Sequence, residues 1–377
     1  MSIRTGAGFN YAFLRHKSAI RSLEIPDGIS FIEGGLAEIA ASEGHRKISD
    51  SMGLSVHFSR TPITEGRAHQ DTFIQHVKHA LGSMSPELVA RIESIGLHLS
   101  GSRFTGIGLF GGADTYIANP ACRERAIDFI IQLRKATGKK VWLENANYYS
   151  ADAPDAIETW ADMRQICAET DSGIILDLAH ILIEAHNCNI DPLLLIGQVP
   201  FEKVAEIHLS GITSSNDGVM HDGHGNPVAE EVWRMLDENL AIFKNYNPET
   251  IITIEHTAPS WKNNTSAFHE DFHRQGKLIS RPPSKPRMKN PIRYMRGYLR
   301  YILRTDIPKL PKACSERGID FDKLLDEWLH LAHKSGKRVV VAIDDIPDGE
   351  MNESWEIRRD FLSYAKTRLR AADDARY

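Results

Sequence analysis

The segment "SGIILDLAH", residues 172–180, places a short run of large apolar residues directly before an acidic residue and a histidine. A run of this length, opened by Ser-Gly and followed by a stretch with helical spacing, is typical of a buried strand that leads into a helix. Asp177 and His180 then stand where we expect the strand to end. The segment therefore predicts one β-then-α unit with polar residues at the end of its strand.

Seven other segments repeat this organisation. They are "GAGFNY" (6–11), "GISFIEGG" (28–35), "MGLSVHFS" (52–59), "SIGLHLSG" (94–101), "KKVWLENAN" (139–147), "VAEIHLSGI" (204–212) and "IITIEHT" (251–257). Eight such units match the size of a closed (β/α)8 barrel, and a doubly wound open sheet is the alternative. No strand is followed by the G-x-G-x-x-G turn of a dinucleotide site, which favours the barrel. We predict an α/β protein with a (β/α)8 TIM barrel over residues 1–276 and a C-terminal α/β extension over residues 277–377.

The composition is that of a soluble globular protein, with 377 residues, 42% hydrophobic and 25% charged. The net charge of −5 argues against a polyanion, and so against nucleic acid, as the main partner. The opening "MSIRTGAGFNYAF" has no apolar signal-peptide core, and no stretch approaches the roughly 18 apolar residues of a membrane span. The four cysteines show no C-x-x-C spacing, so we expect reduced thiols. These features predict a cytoplasmic protein without a membrane partner.

Ionisable residues stand at the predicted ends of most strands. In a TIM barrel the catalytic residues come from the C-terminal ends of the strands. The third to eighth predicted strands each end with a histidine or an acid, and the loop "HDGHGNPV" (221–228) adds two more. The candidate metal ligands are His57, His98, Glu144, Asp177, His180, His208, Asp222, His224 and Glu255. The first two strands supply only the polar candidates Asn10 and Glu33.

The joint pattern of these residues predicts a metal site with several ions. One such residue alone would more often be an ordinary hydrogen-bonding or ion-pairing group. Buried together without a cation, the carboxylates and imidazoles would carry a large cost of desolvation and repulsion. Nine ligands exceed the capacity of one ion, and imidazole with carboxylate suits zinc, iron or manganese. We therefore predict two or three metal ions with Glu144 as the bridging ligand. His221 and His256 flank presumed ligands, and we expect them to support those ligands or to contact the substrate.

The string "VAEIHLSGI…HDGHGNPVAEEVW" resembles the multinuclear non-haem iron-dependent oxidative enzymes of methanobactin and 3-thiaglutamate biosynthesis, which have a xylose-isomerase-like TIM barrel. "GIILDLAHILIEAHNCNIDPLLLIGQVP", "LHLSG", "WLENANYY" and "GAGFNYAFLRH" fit the same family, so the resemblance covers about residues 6–257. It implies iron ions held by the candidate ligands, with Glu144, His208 and Asp222 as the residues we assign to catalysis. It also implies that dioxygen is used to oxidise a cysteine in a ribosomally made peptide, which a partner recognition protein often delivers.

The place of His180 keeps a second family open. The oxidative enzymes commonly have Asp-Val-Asn-Asn where this chain has "DLAH". An Asp-x-x-His pair is also found in endonuclease IV, a trinuclear zinc phosphoesterase on the same barrel, and the ligand order is similar in both, so ligand order alone does not decide between oxidation and hydrolysis. The connecting sequence and the lack of a basic DNA-facing rim favour the oxidative family. A metal-dependent sugar isomerase or epimerase is a further alternative, and a non-catalytic binding module is the least favoured.

The composition changes after the predicted barrel. Residues 277–312 carry basic residues every few positions and almost no acid. Their Pro-rich start predicts a linker, and "NPIRYMRGYLRYILRT" (290–305) predicts a basic amphipathic helix. This helix either packs its apolar stripe on the barrel or docks an acidic peptide or partner protein. Further on, we interpret Asp344 and Asp345 as a strand-end cap or turn.

Overall fold

The computed structural model describes residues 3–8, 24–42, 48–101, 116–146, 150, 153–216, 218–281, 309–321, 323–325, 327–328, 361 and 364–371. Three predictions lie outside the described residues. They concern Asn10, the basic helix over residues 290–305, and the turn at Asp344 and Asp345.

Eight parallel strands close into a barrel. The strands of the chain are β1 (Arg4–Gly8), β2 (Phe31–Gly34), β3 (Gly53–Phe58), β4 (Ile92–His98), β5 (Lys140–Glu144), β6 (Gly173–Asp177), β7 (Val204–Leu209), β8 (Ile212–Ser214), β9 (Met220–Asp222) and β10 (Ile251–Ile254). Around the barrel the order is β1-β10-β7-β6-β5-β4-β3-β2, while β8 and β9 pair antiparallel as a separate hairpin after β7. The predicted (β/α)8 TIM barrel is confirmed. The start of "HDGHGNPV" was predicted as a loop, but His221 and Asp222 lie on strand β9.

Helices follow the strands along the chain. They are α1 (Leu36–Ser42), α2 (Arg67–Gly82), α3 (Pro86–Arg91), α4 (Pro120–Thr137), α5 (Ala153–Thr170), α6 (Leu178–Asn187), α7 (Pro192–Ile196), α8 (Glu230–Tyr246) and α9 (Thr265–Ser280). Helix α4 shows how the sequence sets the ends, because the Asn119 side chain accepts a hydrogen bond from the Cys122 backbone N–H at 2.9 Å and Pro120 begins the helix. Gly138 ends it in the left-handed region, at a φ of 68°.

The inward-facing side chains change from apolar to polar along the strands. Alternate residues of a barrel strand point inwards, so residues two apart share that side. Buried Phe31, Trp142, Ile175 and Ile251 form one cluster inside the barrel. Two residues further along three of these strands stand Glu33, Glu144 and Asp177, which are also buried. The strand register places His98 beside Glu144 and Asp177 beside His208, so the polar side chains meet at one level near the C-terminal ends of the strands.

The chain divides into two compact units, residues 1–195 with 199–287 and residues 196–198 with 288–377. In the second unit, helix α10 (Lys309–Glu316) contributes Leu310 and Cys314 to a buried cluster that includes Trp328 and Phe361. The predicted boundary between residues 276 and 277 stays a prediction. None of the helices in the described residues is both long enough and apolar enough to cross a membrane.

Candidate metal centre

The Glu144 carboxylate lies at the centre of the polar layer, at the end of strand β5. Its Oε2 is 2.9 Å from His57 Nε2 and 3.2 Å from His98 Nε2. Its Oε1 is 3.2 Å from His180 Nδ1 and 3.7 Å from His208 Nδ1. One buried carboxylate therefore faces four imidazole rings that come from β3, β4, α6 and β7. This is the arrangement expected of a carboxylate that bridges two ions.

The remaining candidate ligands continue the cluster. Glu255 Oε2 lies 3.2 Å from His208 Nδ1 and 3.5 Å from His224 Nε2. Asp222 Oδ2 lies 2.6 Å from His224 Nε2 and 3.6 Å from His180 Nε2. The structure thus brings all nine predicted residues into one continuous cluster, although their assignment as ligands stays a prediction.

Three sets of side chains in the described part of the chain have possible ligand atoms within 4.8 Å of one another. The sets are Glu33, His57, His208 and Glu255; His57, His98 and Glu144; and Glu144, Asp177, His208 and Glu255. Glu144 belongs to two of them. His180, Asp222 and His224 belong to none of these sets but contact their members, as the distances above show.

Several buried polar atoms of the cluster lack hydrogen bonds to described residues, as expected of atoms that bind a cation. Neither oxygen of Glu144 has a well-aligned hydrogen bond to any described residue, although both are buried. The same holds, within the described residues, for Asp177 Oδ2, both ring nitrogens of His208 and His224 Nε2. Buried acceptors and nitrogen lone pairs left without hydrogen bonds are costly, and a cation among them removes that cost. The side chains therefore fit a metal ion.

The pKa values of the clustered acids and histidines also agree with a site for cations. Burial would raise the pKa of Glu144, but the charges of His98, His57 and His208 hold that pKa well below its ordinary value. Burial lowers the pKa of His208, but Glu255 and Glu33 raise it well above the ordinary value of 6.5. Despite burial, neighbouring carboxylates also raise the pKa values of His57, His180 and His224, whereas burial lowers that of His98. Without metal, protons on the rings with raised pKa values therefore supply positive charge to the buried carboxylates. Metal ions binding here would replace those protons.

The start of helix α6 brings the side chains of Asp177 and His180 together. The Asp177 Oδ1 accepts a hydrogen bond from the His180 backbone N–H at 2.8 Å, which caps helix α6. The cap starts the helix at Leu178, so the prediction that His180 ends the sixth strand is wrong. Because His180 is instead in the first helical turn, its ring lies on the same side as Asp177, with His180 Nε2 3.7 Å from Asp177 Oδ2. The Asp-x-x-His spacing is thus a helix-capping pattern that also brings two polar side chains together.

Hydrogen bonds to residues outside the cluster hold the segment that carries Asp222 and His224. Ser210 Oγ donates to Asp222 Oδ1 at 2.9 Å, and Trp261 Nε1 donates to the His224 carbonyl at 2.6 Å. The Val228 N–H donates to Asp271 at 3.0 Å, and the same carboxylate oxygen lies 2.8 Å from His256 Nε2.

The two flanking histidines therefore differ in their contacts. His256 is fully buried and packs against Trp261 with ring centroids 3.9 Å apart, which is the environment expected of a residue that supports the ligand segment. His221 Nε2 lies 3.0 Å from Ser215 Oγ on the hairpin, and His221 belongs to none of the three ligand sets.

Two buried acids of the centre were not predicted as ligands from the sequence. Glu33 contacts His57 and His208, at 3.0 Å and 3.2 Å. Glu206 Oε1 lies 3.6 Å from His208 Nε2 and accepts a hydrogen bond from Thr253. Period-two spacing could have found both, since Glu33 follows buried Phe31 by two residues and Glu206 precedes His208 by two.

Comparisons with known proteins agree with the sequence resemblance. Residues 118–270 match the family of the RiPP precursor modification enzyme MbnB/TglH/ChrH, and the predicted resemblance is confirmed. A UPF0276 protein of Acaryochloris marina is 28% identical over 116 residues, 31% of this chain and 42% of that relative. A UPF0276 protein of Bordetella pertussis is 29% identical over 154 residues, 40% of this chain and 53% of that relative. The chain thus spans about half the length, or less, of these curated relatives. The structure titled IOLI protein with a binding zinc atom has a TM-score of 0.46 at 10% identity, covering 73% of this chain and 96% of that one.

Proposed function

We propose that this protein is a metalloenzyme that holds two or three iron ions and uses dioxygen to oxidise a cysteine-containing peptide. The observation that carries the proposal is the buried cluster of imidazoles and carboxylates around Glu144. The match of residues 118–270 to a RiPP precursor modification enzyme family supports a peptide as the substrate. Seven of the nine candidate ligands lie within that matched segment, from Glu144 to Glu255.

The candidate ligands that lie close together around Glu144 would bind the same ion. His57 and His98 lie at Oε2 of Glu144, whereas His208 lies at Oε1. Asp177 and Glu255 form a further ligand set with Glu144 and His208. Asp222 and His224 would hold the ion at the more exposed edge of the cluster, and the buried His180 lies between Glu144 and Asp222. Bound iron supplies reversible one-electron chemistry with dioxygen, which zinc lacks.

The substrate would approach on the side of Asp222 and His224. The side chain of Glu144 is 1% exposed, whereas that of Asp222 is 13% and that of His224 is 32% exposed. A substrate thiolate can reach only the exposed side of a buried centre. Asp222 would bind the ion that lies nearest this opening. Glu144 and His208 would bind the ions deeper in the barrel, where the barrel walls exclude water.

The experiment that tests this proposal compares metals and atmospheres. Protein purified without oxygen is analysed for metal by mass spectrometry and for iron by Mössbauer spectroscopy. Iron-loaded and zinc-loaded protein are then incubated with a cysteine-containing peptide and with abasic DNA, each under air and under nitrogen. We expect oxygen uptake and peptide oxidation only with reduced iron in air. Cleavage of abasic DNA by the zinc form under nitrogen would instead establish the phosphoesterase alternative.

A pair of variants links the metal to the residues. Glu144→Gln should lose metal and activity together, because glutamine cannot bridge two cations as a carboxylate does. Glu184→Gln is the matched control, since Glu184 is also a buried acid but lies outside the ligand sets. Unchanged metal content in Glu144→Gln would refute the assigned centre.

A further inference from the structure

We propose that Glu33 is a positioning residue, whose carboxylate fixes the rings of His57 and His208 so that each presents its opposite nitrogen to Glu144. Its Oε1 lies 3.0 Å from His57 Nδ1, and its Oε2 lies 3.2 Å from His208 Nε2. One carboxylate thus contacts two of the candidate ligands at once. The proposal rests on the metal centre proposed above and adds the residue that orients two of its ligands.

Glu33 meets Nδ1 of His57 but Nε2 of His208, and in both rings the other nitrogen faces Glu144. His57 directs Nδ1 to Glu33 and Nε2 to Glu144, at 3.0 Å and 2.9 Å. His208 directs Nε2 to Glu33, and its Nδ1 faces Glu255 at 3.2 Å and Glu144 at 3.7 Å. In a neutral imidazole, the nitrogen that carries the hydrogen is a donor and the other keeps the lone pair that binds metal. With a cation at Glu144, the carboxylate behind each ring therefore favours the tautomer in which the lone pair faces Glu144. For His57 it acts at hydrogen-bonding distance from Nδ1, and for His208 it acts through its charge, because His208 Nε2 makes no well-aligned hydrogen bond to a described residue.

The position of Glu33 in the barrel suits this role. It is on strand β2, is 2% exposed and follows Phe31 of the apolar cluster by two residues, so it lies at the inner edge of the polar layer. Metal-binding histidines commonly donate their second N–H to a carboxylate, and losing that partner typically weakens metal binding by about 10 to 100-fold. The rival role is direct ligation, because Glu33 also forms a ligand set with His57, His208 and Glu255.

The test measures metal affinity and metal stoichiometry separately in the full chain. Glu33→Gln keeps one acceptor oxygen and the size of the side chain, whereas Glu33→Ala removes both contacts. We expect affinity for cobalt(II), measured by competition with a chelator, to fall about 10-fold in Glu33→Gln and about 100-fold in Glu33→Ala. At saturating cobalt(II), both variants should bind as many ions as the wild type. Their visible absorption bands should shift, because two ligand rings are no longer held.

The matched control is Glu184→Gln, which changes a buried acid that belongs to none of the three ligand sets. We expect this variant to keep wild-type affinity within about threefold, because in the described structure the Glu184 side chain accepts a hydrogen bond from Ser150 and not from a candidate ligand. A loss of one ion at saturation in Glu33→Gln would make Glu33 a ligand and overturn the proposal. Unchanged affinity and spectra in that variant would overturn it as well. If Glu33→Ala does not fold, the isosteric Glu33→Gln alone decides. A wild-type protein that binds no metal would refute the centre itself, which is a separate result.

Discussion

Glu184 is a buried acid one helical turn beyond His180 on α6, and its protonation should control how the stability of the barrel depends on pH. Its side chain accepts a hydrogen bond from Ser150 Oγ at 2.5 Å and lines a small cavity with Leu99 and Trp160. Burial in this environment raises the pKa of Glu184 from its ordinary value of 4.5 to about 8. The native protein therefore keeps this carboxyl protonated at neutral pH, whereas the unfolded chain ionises it.

The expected magnitude follows from linkage between proton binding and folding. Between pH 4.5 and pH 8 the unfolded state binds fewer protons than the native state at this group, so native stability falls as the pH rises. The fall is about 1.4 kcal/mol for each pH unit within that window. Glutamine cannot ionise, so Glu184→Gln removes this loss. From pH 5 to pH 8, the free energy of unfolding of the variant should gain about 3 to 4 kcal/mol relative to the wild type.

The assay is urea unfolding of the metal-free full chain at pH 5, 6, 7 and 8, followed by near-ultraviolet circular dichroism. The wild type and the variant share every other titrating group, so their difference reports Glu184 alone. Glu202→Gln removes an exposed acid next to β7 and serves as the control for the loss of one negative charge. Parallel stability curves for Glu184→Gln and the wild type across this range would refute the reasoning.

Four further results are expected. His180→Asn should leave the fold intact and lower the metal stoichiometry by about one, as measured by mass spectrometry; an unaltered stoichiometry would place His180 outside the ligand set. Trp261→Phe removes the N–H that donates to the His224 carbonyl, which should cost about 1 kcal/mol in urea unfolding and weaken metal binding severalfold. Metal loading in weak buffer should release protons, because glutamate charges hold the pKa of His208 well above its ordinary value despite burial; a pH that does not fall would contradict the charge balance described above. A chain that ends at residue 287, where the first compact unit ends, should stay soluble and bind metal, whereas aggregation would show that the extension covers an apolar surface of the barrel.

The barrel could be predicted because its evidence is local. Each strand is a short apolar run, and each polar strand end is adjacent to it in the sequence, as in "VWL" (141–143) directly before Glu144. Period-two spacing places the Glu33 side chain inside the barrel, but its contacts with His57 and His208 could not be predicted from the sequence. They depend on closure of the barrel, which brings β2 beside β3 and near β7. His180 was predicted to end the sixth strand, although the helix already begins at Leu178, because an acid that ends a strand and an acid that caps a helix have the same sequence signature. The hairpin formed by β8 and β9 was not predicted, because a strand of three residues is too short to show a periodic pattern in the sequence.

The charges of the cluster limit how many ions it can hold. With neutral imidazoles, the five acids Glu33, Glu144, Asp177, Asp222 and Glu255 carry five negative charges. Glu206 belongs to no ligand set and burial raises its pKa to about 7, so it is counted as protonated. Two divalent ions supply four positive charges and three supply six, so either number leaves a single net charge in the buried centre. One ion would leave three uncompensated negative charges, and four ions would leave three uncompensated positive ones, each at a large desolvation cost. Metal analysis that finds one or four ions in the active protein would therefore contradict the charge assignment, even if the ligands were correct.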